Sequence, residues 1–547
     1  MEISFTKKFT TPIYLAFNTL SRKEMILISR DRKTHDEPLE DKMKTRLHPR
    51  LKSVVHWIRF NAFLFGLLSL IWFLLRTGRK PSRAVYPCQQ AAAVNSQIWL
   101  STYLFPVLSV ASKKSFRFSG RRKQTIILIA LIVTSAAGSF AWWSLSERGV
   151  KSSKNQAMTL TGFNLTGRVA EFSPASDIFV VGDTSGNDGG VEELVNLMGE
   201  RGLLFYRSEK TGKNKGPNGL IAKNDVILIK VNCQWNQRGG TNTDLLKALI
   251  QALVDHPEGF EGEVIVADNG QGQFGSSGNG GSLDWGRSNA EDISQSVQRV
   301  VDSFAGSHMV STYLWDAITT TRVNEYSEGD LDDGYIINAT ANPRTGIMVS
   351  YPKFKTEFGT HVSFKRGIWD PQTGTYDSDR LKVLNVPVLK THGIYGVTAC
   401  VKHYMGVPTD KLTARLGSRT HSTISRGGMG TQMVETRFPT LNILDAIWVN
   451  AVPLSGPSTS YEDATRVNVI AASTDPVALD YWAAKHILLQ AWRIRTNSIS
   501  ASLDPDNVEP GFFGDWLRLS MKEMARAGYQ VTVDEDQMNV YIFQISS

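Results

Sequence analysis

Apolar positions fall into two regimes along this chain. In the first quarter they form long runs; beyond about residue 176 they form short runs between amphipathic stretches. The clearest long run, 125–145 (TIILIALIVTSAAGSFAWWSL), carries no charge and has about the length that spans a bilayer. Arg121, Arg122 and Lys123 precede it, and Trp142 and Trp143 near its far end suit the membrane interface. A second run covers 56–75, with Arg59 placed to snorkel near one end. A third, 91–111, is uncharged but only moderately apolar and contains Pro106, so a span and a re-entrant segment both fit it. The pattern thus predicts a membrane region over 55–145 with two or three transmembrane helices. Before it lies a basic arm, 1–54, and after it a linker, 146–175.

From residue 176 the short runs predict an α/β domain reaching residue 547. It is a mostly parallel sheet flanked by helices, with a β-rich insertion at about 318–380. Strands are expected at 178–181, 225–231, 263–267, 383–389, 467–472 and 538–543. Run 225–231 (DVILIKV) is continuously apolar, as in a parallel strand covered on both faces. Helices are expected at 191–201, from Thr241 or Asn242 to about 254, at 289–304 and at 515–527. Pro476, after Ser473, Thr474 and Asp475, marks a further helix start.

Charge sharpens the division. Residues 1–124 hold 23 Lys and Arg against 7 Asp and Glu, a net +16, whereas the rest of the chain is −8. A nucleic-acid binder would carry its positive charge on the folded domain, so nucleic acid is not an expected partner. Basic residues around apolar runs are instead topology signals. They predict a multi-pass membrane protein with residues 1–54 in the cytoplasm and the C-terminal domain outside, although the basic loop 76–90 would then face outward. The partners expected on this basis are the lipid bilayer and other subunits of a membrane complex. Three dispersed cysteines, Cys88, Cys233 and Cys400, exclude a disulfide framework and an iron–sulfur cluster built from this chain.

Candidate chemistry gathers where strands end, since open α/β sheets bind ligands outside their carboxyl edges. Strand 225–231 delivers Lys230 and Asn232, and strand 263–267 delivers Asp268. Strand 383–389 delivers Lys390 and His392, and strand 467–472 delivers Ser473, Thr474 and Asp475. Thr398 and Lys402, four apart, are expected on one face of a short helix. Buried cations need an anionic partner, so Lys230, Lys390 and Lys402 predict a small carboxylate or phosphate ligand. His392 is the natural proton carrier, and Asp268 would orient it or hold a divalent metal ion. Each residue also has a plainer reading: Lys230 snorkels at a strand end, Asp268 caps a turn rather than holding a divalent metal, Asp475 sits in a first helical turn, and Asp480 is paired in the core. His403 and His421 read as surface or hydrogen-bonded histidines. The Gly-rich stretch 270–281 lacks the spacing of a P-loop or a dinucleotide fingerprint.

The ordered motifs DVILIKVN (225–232), VIVADNG (264–270), VPVLKTHGIYGVTACVKHYMG (386–406), LNILDAI (441–447) and ASTDPVALD (472–480) together resemble the family called domain of unknown function 362. The resemblance covers roughly 176–490. It implies recurrent polar positions at Lys230, Asn232, Asp268, Lys390, His392, Thr398, Lys402, Asp445, Asp475 and Asp480. Family members often accompany ferredoxin-type modules, but this chain lacks the cysteines for clusters. The expected function is an extracytoplasmic, membrane-anchored enzyme acting on a small anionic compound; the alternative is a non-catalytic binding or structural subunit.

Overall fold

The computed structural model describes residues 158–160, 165–271, 280–327, 330–453 and 455–545, with isolated positions between 67 and 99. Apart from those isolated positions, the expected membrane segments 56–75, 91–111 and 125–145 lie outside the described residues, as do the arm 1–54 and much of 146–175. Among the described residues, no helix is long and apolar enough to cross a membrane.

The α/β domain starts as its apolar pattern predicts. β1 (Ser176–Gly182), α1 (Gly190–Glu200), β2 (Val226–Lys230), α2 (Thr243–Val254) and β3 (Glu263–Asp268) fall within a few residues of expectation. α2 begins where Asn242 accepts the backbone N–H groups of Asp244 and Leu245, satisfying donors that the first turn leaves open. The helix expected at 289–304 is only α3 (Val297–Asp302), because Ser296 is its cap and Asn289 is committed elsewhere, donating to the Gly240 carbonyl. β4 (Val310–Leu314) completes this edge of the sheet. The insertion folds into its own antiparallel sheet of β5 (Gly334–Ile337), β6 (Ser350–Lys355), β7 (His361–Ser363), β8 (Gly367–Asp370) and β9 (Thr375–Asp377).

The run expected as one strand at 383–389 is two. Pro387 has no N–H to give to a ladder, so the chain breaks into β10 (Leu381–Asn385) and β11 (Val388–His392). β11 then turns back into β12 (Gly396–Thr398), followed by the single-turn α4 (Cys400–His403). Thr398 therefore lies in a strand, not on a helix with Lys402. The remaining elements are α5 (Gly428–Glu435), β13 (Leu441–Asn450), β14 (Thr465–Ser473), α6 (Pro476–Ala483), α7 (Phe513–Arg526) and β15 (Met538–Gln544).

The large sheet runs β15-β1-β14-β13-β10-β2-β3-β4. From β13 to β4 every pairing is parallel, and both faces are covered: Leu228 belongs to one buried cluster, while Ile227 and Ile229 belong to the other. β13 begins where β10 ends, with Asn385 beside Asn442, and its far half continues past the edge to pair with β11.

β14 is antiparallel to both neighbours, which changes where its end lies. Ser473 stands opposite Asn442, and the chain then runs away from the carboxyl edge of β2 and β3. Asp475 ends up at the amino end of β1, where it accepts Ser176 Oγ at 2.7 Å, Thr532 N–H at 2.9 Å and two N–H groups of the first turn of α6.

Asp475→Ala removes all four contacts and leaves buried donors unpaired. It is expected to destabilise the domain by about 2–4 kcal/mol in denaturant unfolding, while anion binding by the folded protein stays unchanged.

Candidate functional site

The site is built around an ion pair. Lys230 ends β2 and Asp268 ends the neighbouring β3, and Lys230 Nζ meets Asp268 Oδ1 at 2.8 Å with the two side chains 1% and 2% exposed. The other carboxylate oxygen accepts the Cys233 N–H at 2.8 Å. Gly406, the last residue of the HYMG run, lies against this pair, and a side chain there would collide with both partners. Asp268 is thus engaged by a lysine and a backbone amide. Among the described residues, no group of three or more His, Cys, Asp or Glu could hold a metal ion.

The β11–β12 hairpin supplies the opposite wall. Lys390 and His392 are two residues apart on one strand, and Thr398 stands across from Lys390, so all three side chains share a face. Lys390 Nζ donates to the Gly239 carbonyl. His392 Nδ1 accepts the N–H groups of Ile394 at 3.2 Å and Tyr395 at 3.3 Å. A ring nitrogen that accepts is unprotonated, so neutral His392 carries its proton on Nε2 and presents a donor. Lys402, only 6% exposed on α4, has no hydrogen-bond or carboxylate partner among the described residues; its Nζ lies 5.7 Å from the centre of the Tyr395 ring.

These walls enclose a cavity of about 710 Å³. The structure brings Lys230, Asn232, Asp268, Lys390, His392, Thr398 and Lys402 to its lining, with Asp268 the sole carboxylate there among the described residues. Asp445, Ser473, Thr474, Asp475 and Asp480 are not among the lining residues. Asp445 stands behind the wall and accepts the N–H groups of Asn242 at 2.8 Å and Ile447 at 3.2 Å. Asp480 accepts Cys400 N–H at 2.6 Å and Val401 N–H at 2.9 Å, fixing the start of α4 and thereby Lys402. Ser473 spends its hydroxyl on the Asp177 carbonyl, and Thr474 is exposed. The reversed direction of β14 is why these last two miss the cavity.

Sequence reasoning missed Trp235, Tyr395 and Arg419, which also line it, as does His421, expected as a surface or hydrogen-bonded histidine. His403, expected as a surface or hydrogen-bonded histidine, is both hydrogen-bonded and part of the lining: Nδ1 lies 2.8 Å from Asn385 Oδ1. A ladder continues from there, with Asn385 Nδ2 donating to the Cys400 carbonyl and to Asn442 Oδ1, and Asn442 Nδ2 donating to the Ser473 carbonyl. Local spacing carries no sign of Arg419 or His421, which arrive from a turn beyond the motif.

Electrostatics follow from this crowding. Burial drives the Lys390 amine well below its ordinary range, and Lys402 and Lys230 push it further, against a smaller pull from Asp268 and Asp445. Burial, then Lys230, brings Lys402 down to about 7. Burial first, then Lys402, His421 and Lys390, holds His392 far below the usual imidazole range, so it is neutral. Among the buried polar atoms of the lining without a hydrogen-bond partner in the described residues are Thr398 Oγ1, Asn232 Oδ1, Trp235 Nε1 and His403 Nε2.

A family model described as Domain of unknown function (DUF362) matches residues 377–485. The matched span runs from β9 past α6 and contains Lys390, His392, Thr398 and Lys402; Lys230 and Asp268 come from outside it. No curated protein and no solved structure matches the chain.

Lys402 is a buried amine without a counter-charge among the described residues, so its removal is expected to stabilise the empty protein. Its pKa is depressed from 10.5 in the unfolded chain to about 7. The burial cost is therefore full below pH 7 and shrinks as the pH rises toward 10.5. Lys402→Met should raise stability by about 2–4 kcal/mol at pH 6, with the gain fading by pH 10, as read from unfolding curves across pH.

Proposed function

We propose that the cavity binds a small anionic compound, carrying a carboxylate or phosphate group, and that it does so as the active site of an enzyme. The observation behind this reading is a charge imbalance. Lys230, Lys390 and Lys402 share a desolvated space with one carboxylate among the described residues, and that carboxylate is already paired with Lys230. Buried amines repel one another and shed protons unless an anion enters. An anionic ligand supplies the missing charge, and in a space of low dielectric its attraction for the two unmatched lysines is strong.

Within this reading the roles divide by geometry. Lys390 and Lys402 face the anionic group. His392 offers Nε2–H as a neutral donor, suited to polarising a carbonyl or stabilising developing negative charge. It is not a base, because the second nitrogen is held by two backbone donors. Thr398 Oγ1 and Asn232 Oδ1, both without a hydrogen-bond partner among the described residues, are available to a polar substituent on the ligand. Anchorage in a membrane, with the domain outside the cytoplasm, remains part of the proposal on the strength of the apolar runs at 56–75 and 125–145 alone.

Calorimetry of the full-length protein with inorganic phosphate, pyruvate and malate, beside uncharged amides of the acids, tests the reading. At least one anion should bind at pH 6.5, with a tenfold or greater loss in Lys390→Met; no binding by any anion at millimolar concentration would sink the proposal. A bound anion raises the pKa of Lys402 from about 7. Between the free and bound values binding takes up a proton. Affinity should therefore fall as the pH rises above 7, by up to about tenfold per pH unit for each lysine that takes up a proton on binding.

A further inference from the structure

The three lysines of the cavity are not equivalent. Lys230 is paired with Asp268, and Lys390 donates to the Gly239 carbonyl. Lys402 alone has neither hydrogen bond nor ion pair among the described residues, although its side chain is almost wholly buried and belongs to the cavity lining. No described residue accepts from or donates to its nitrogen. Its position is held from behind: Asp480 receives the first two N–H groups of α4, so the turn carrying Lys402 is fixed to the core. The nearest described aromatic surface is the Tyr395 ring, and His392, with its Nε2–H, lies on the same cavity wall as that ring, at 5.4 Å between centroids.

An amine in this setting does a different job from a charged anchor. A surface lysine is protonated at neutral pH and does not attack carbonyl carbon. A lysine desolvated beside other cations is the usual form of an imine-forming residue. We propose that Lys402 is a nucleophile that forms an imine with the carbonyl carbon of an oxo-acid, whose carboxylate is received by Lys390. This rests on the anion-binding reading above, and narrows its ligand class to compounds that hold a carbonyl close to a carboxylate.

The step balances without any further reagent. The Lys402 amine adds to the carbonyl carbon, the C–N bond forms, and the former carbonyl oxygen takes a proton to give a carbinolamine. That oxygen then leaves as water as the C=N bond forms. Overall, R–NH2 and O=C give R–N=C and H2O; protonation of the imine nitrogen takes up one proton from solvent and restores one positive charge beside the carboxylate. His392 Nε2–H is a positioning donor for the carbonyl oxygen during addition. An approaching carboxylate also favours protonation of Lys402, so addition proceeds from the fraction of the complex that keeps the amine free, and that fraction grows as the pH rises above 7.

The test is reductive trapping on the full-length protein at pH 7.5. Sodium cyanoborohydride is added with either limiting formaldehyde or glyoxylate, and each modified lysine is located by peptide mass spectrometry. Formaldehyde reads amine reactivity without needing an anion site; glyoxylate reads both, leaving carboxymethyl-lysine after hydride reduction of its imine. The expected result is labelling of Lys402 by glyoxylate at least tenfold faster than Lys365 or Lys355, which are exposed, with slowing by inorganic phosphate. Lys402→Arg should lose that site while the rest of the pattern holds. The inference is overturned if Lys402 reacts with both probes no faster than those two lysines, or if the adduct sits on Lys390 instead. Should calorimetry still show phosphate binding in that case, the imine alone fails and the anion site stands. Fast formaldehyde labelling of Lys402 without any glyoxylate preference or phosphate effect would remove the oxo-acid assignment together with the anion site.

Discussion

Placing Lys230 and Asp268 at the ends of adjacent parallel strands is the constraint on which this site depends. A buried ion pair gains little net stability, since desolvation offsets much of the attraction, yet losing one partner costs about 3–5 kcal/mol. Such a pair therefore holds its surroundings to a narrow geometry. Asp268 must also receive the Cys233 N–H, which sets the loop after β2. Gly406 must remain without a side chain, which sets the approach of the segment after α4. Three stretches distant in sequence are thereby brought to one point, and the cavity is the space left beside it.

The same pair leaves Lys390 and Lys402 unmatched. Asp445, which also acts on Lys390, is turned toward the Asn242 and Ile447 amides, and burial lifts its own pKa to about 7. The protein thus tolerates an unfavourable empty state in its interior. Stability sacrificed in this way is common where a site must receive a charged ligand, because the interactions that make the empty state poor make the filled one favourable.

Much of the fold was legible in the sequence, and for a physical reason. Runs such as DVILIKV and EVIVA lie in strands covered on both faces, where apolar continuity is unavoidable. The carboxyl-edge rule then placed Lys230, Asn232 and Asp268, since their strands are parallel. It failed for Ser473 and Thr474, because an apolar run does not reveal direction and β14 is reversed. Run 383–389 was misread as one strand because its apolar content masked the break at Pro387, although proline inside an apolar run is itself a warning. His403, Tyr395, Arg419 and His421 could not be placed on the wall from spacing, since they reach it through turns whose path depends on tertiary contacts. The short α3 shows a local cap, Ser296, prevailing over a longer amphipathic pattern.

The asparagine ladder across β10 and β13 has a polarity. At its two exits the partners are the backbone carbonyls of Cys400 and Ser473, which only accept. Each amide must therefore turn its nitrogen toward those exits, and neither can flip without setting oxygen against oxygen. The carbonyl of Asn385 is left facing the His403 ring, where it demands a hydrogen at Nδ1. The proton's address on that imidazole is thus written two strands away, in the main chain at the end of β14. The strand whose tip never reaches the cavity still bears on the tautomer on its wall, in competition with the Val231 carbonyl that the same ring meets.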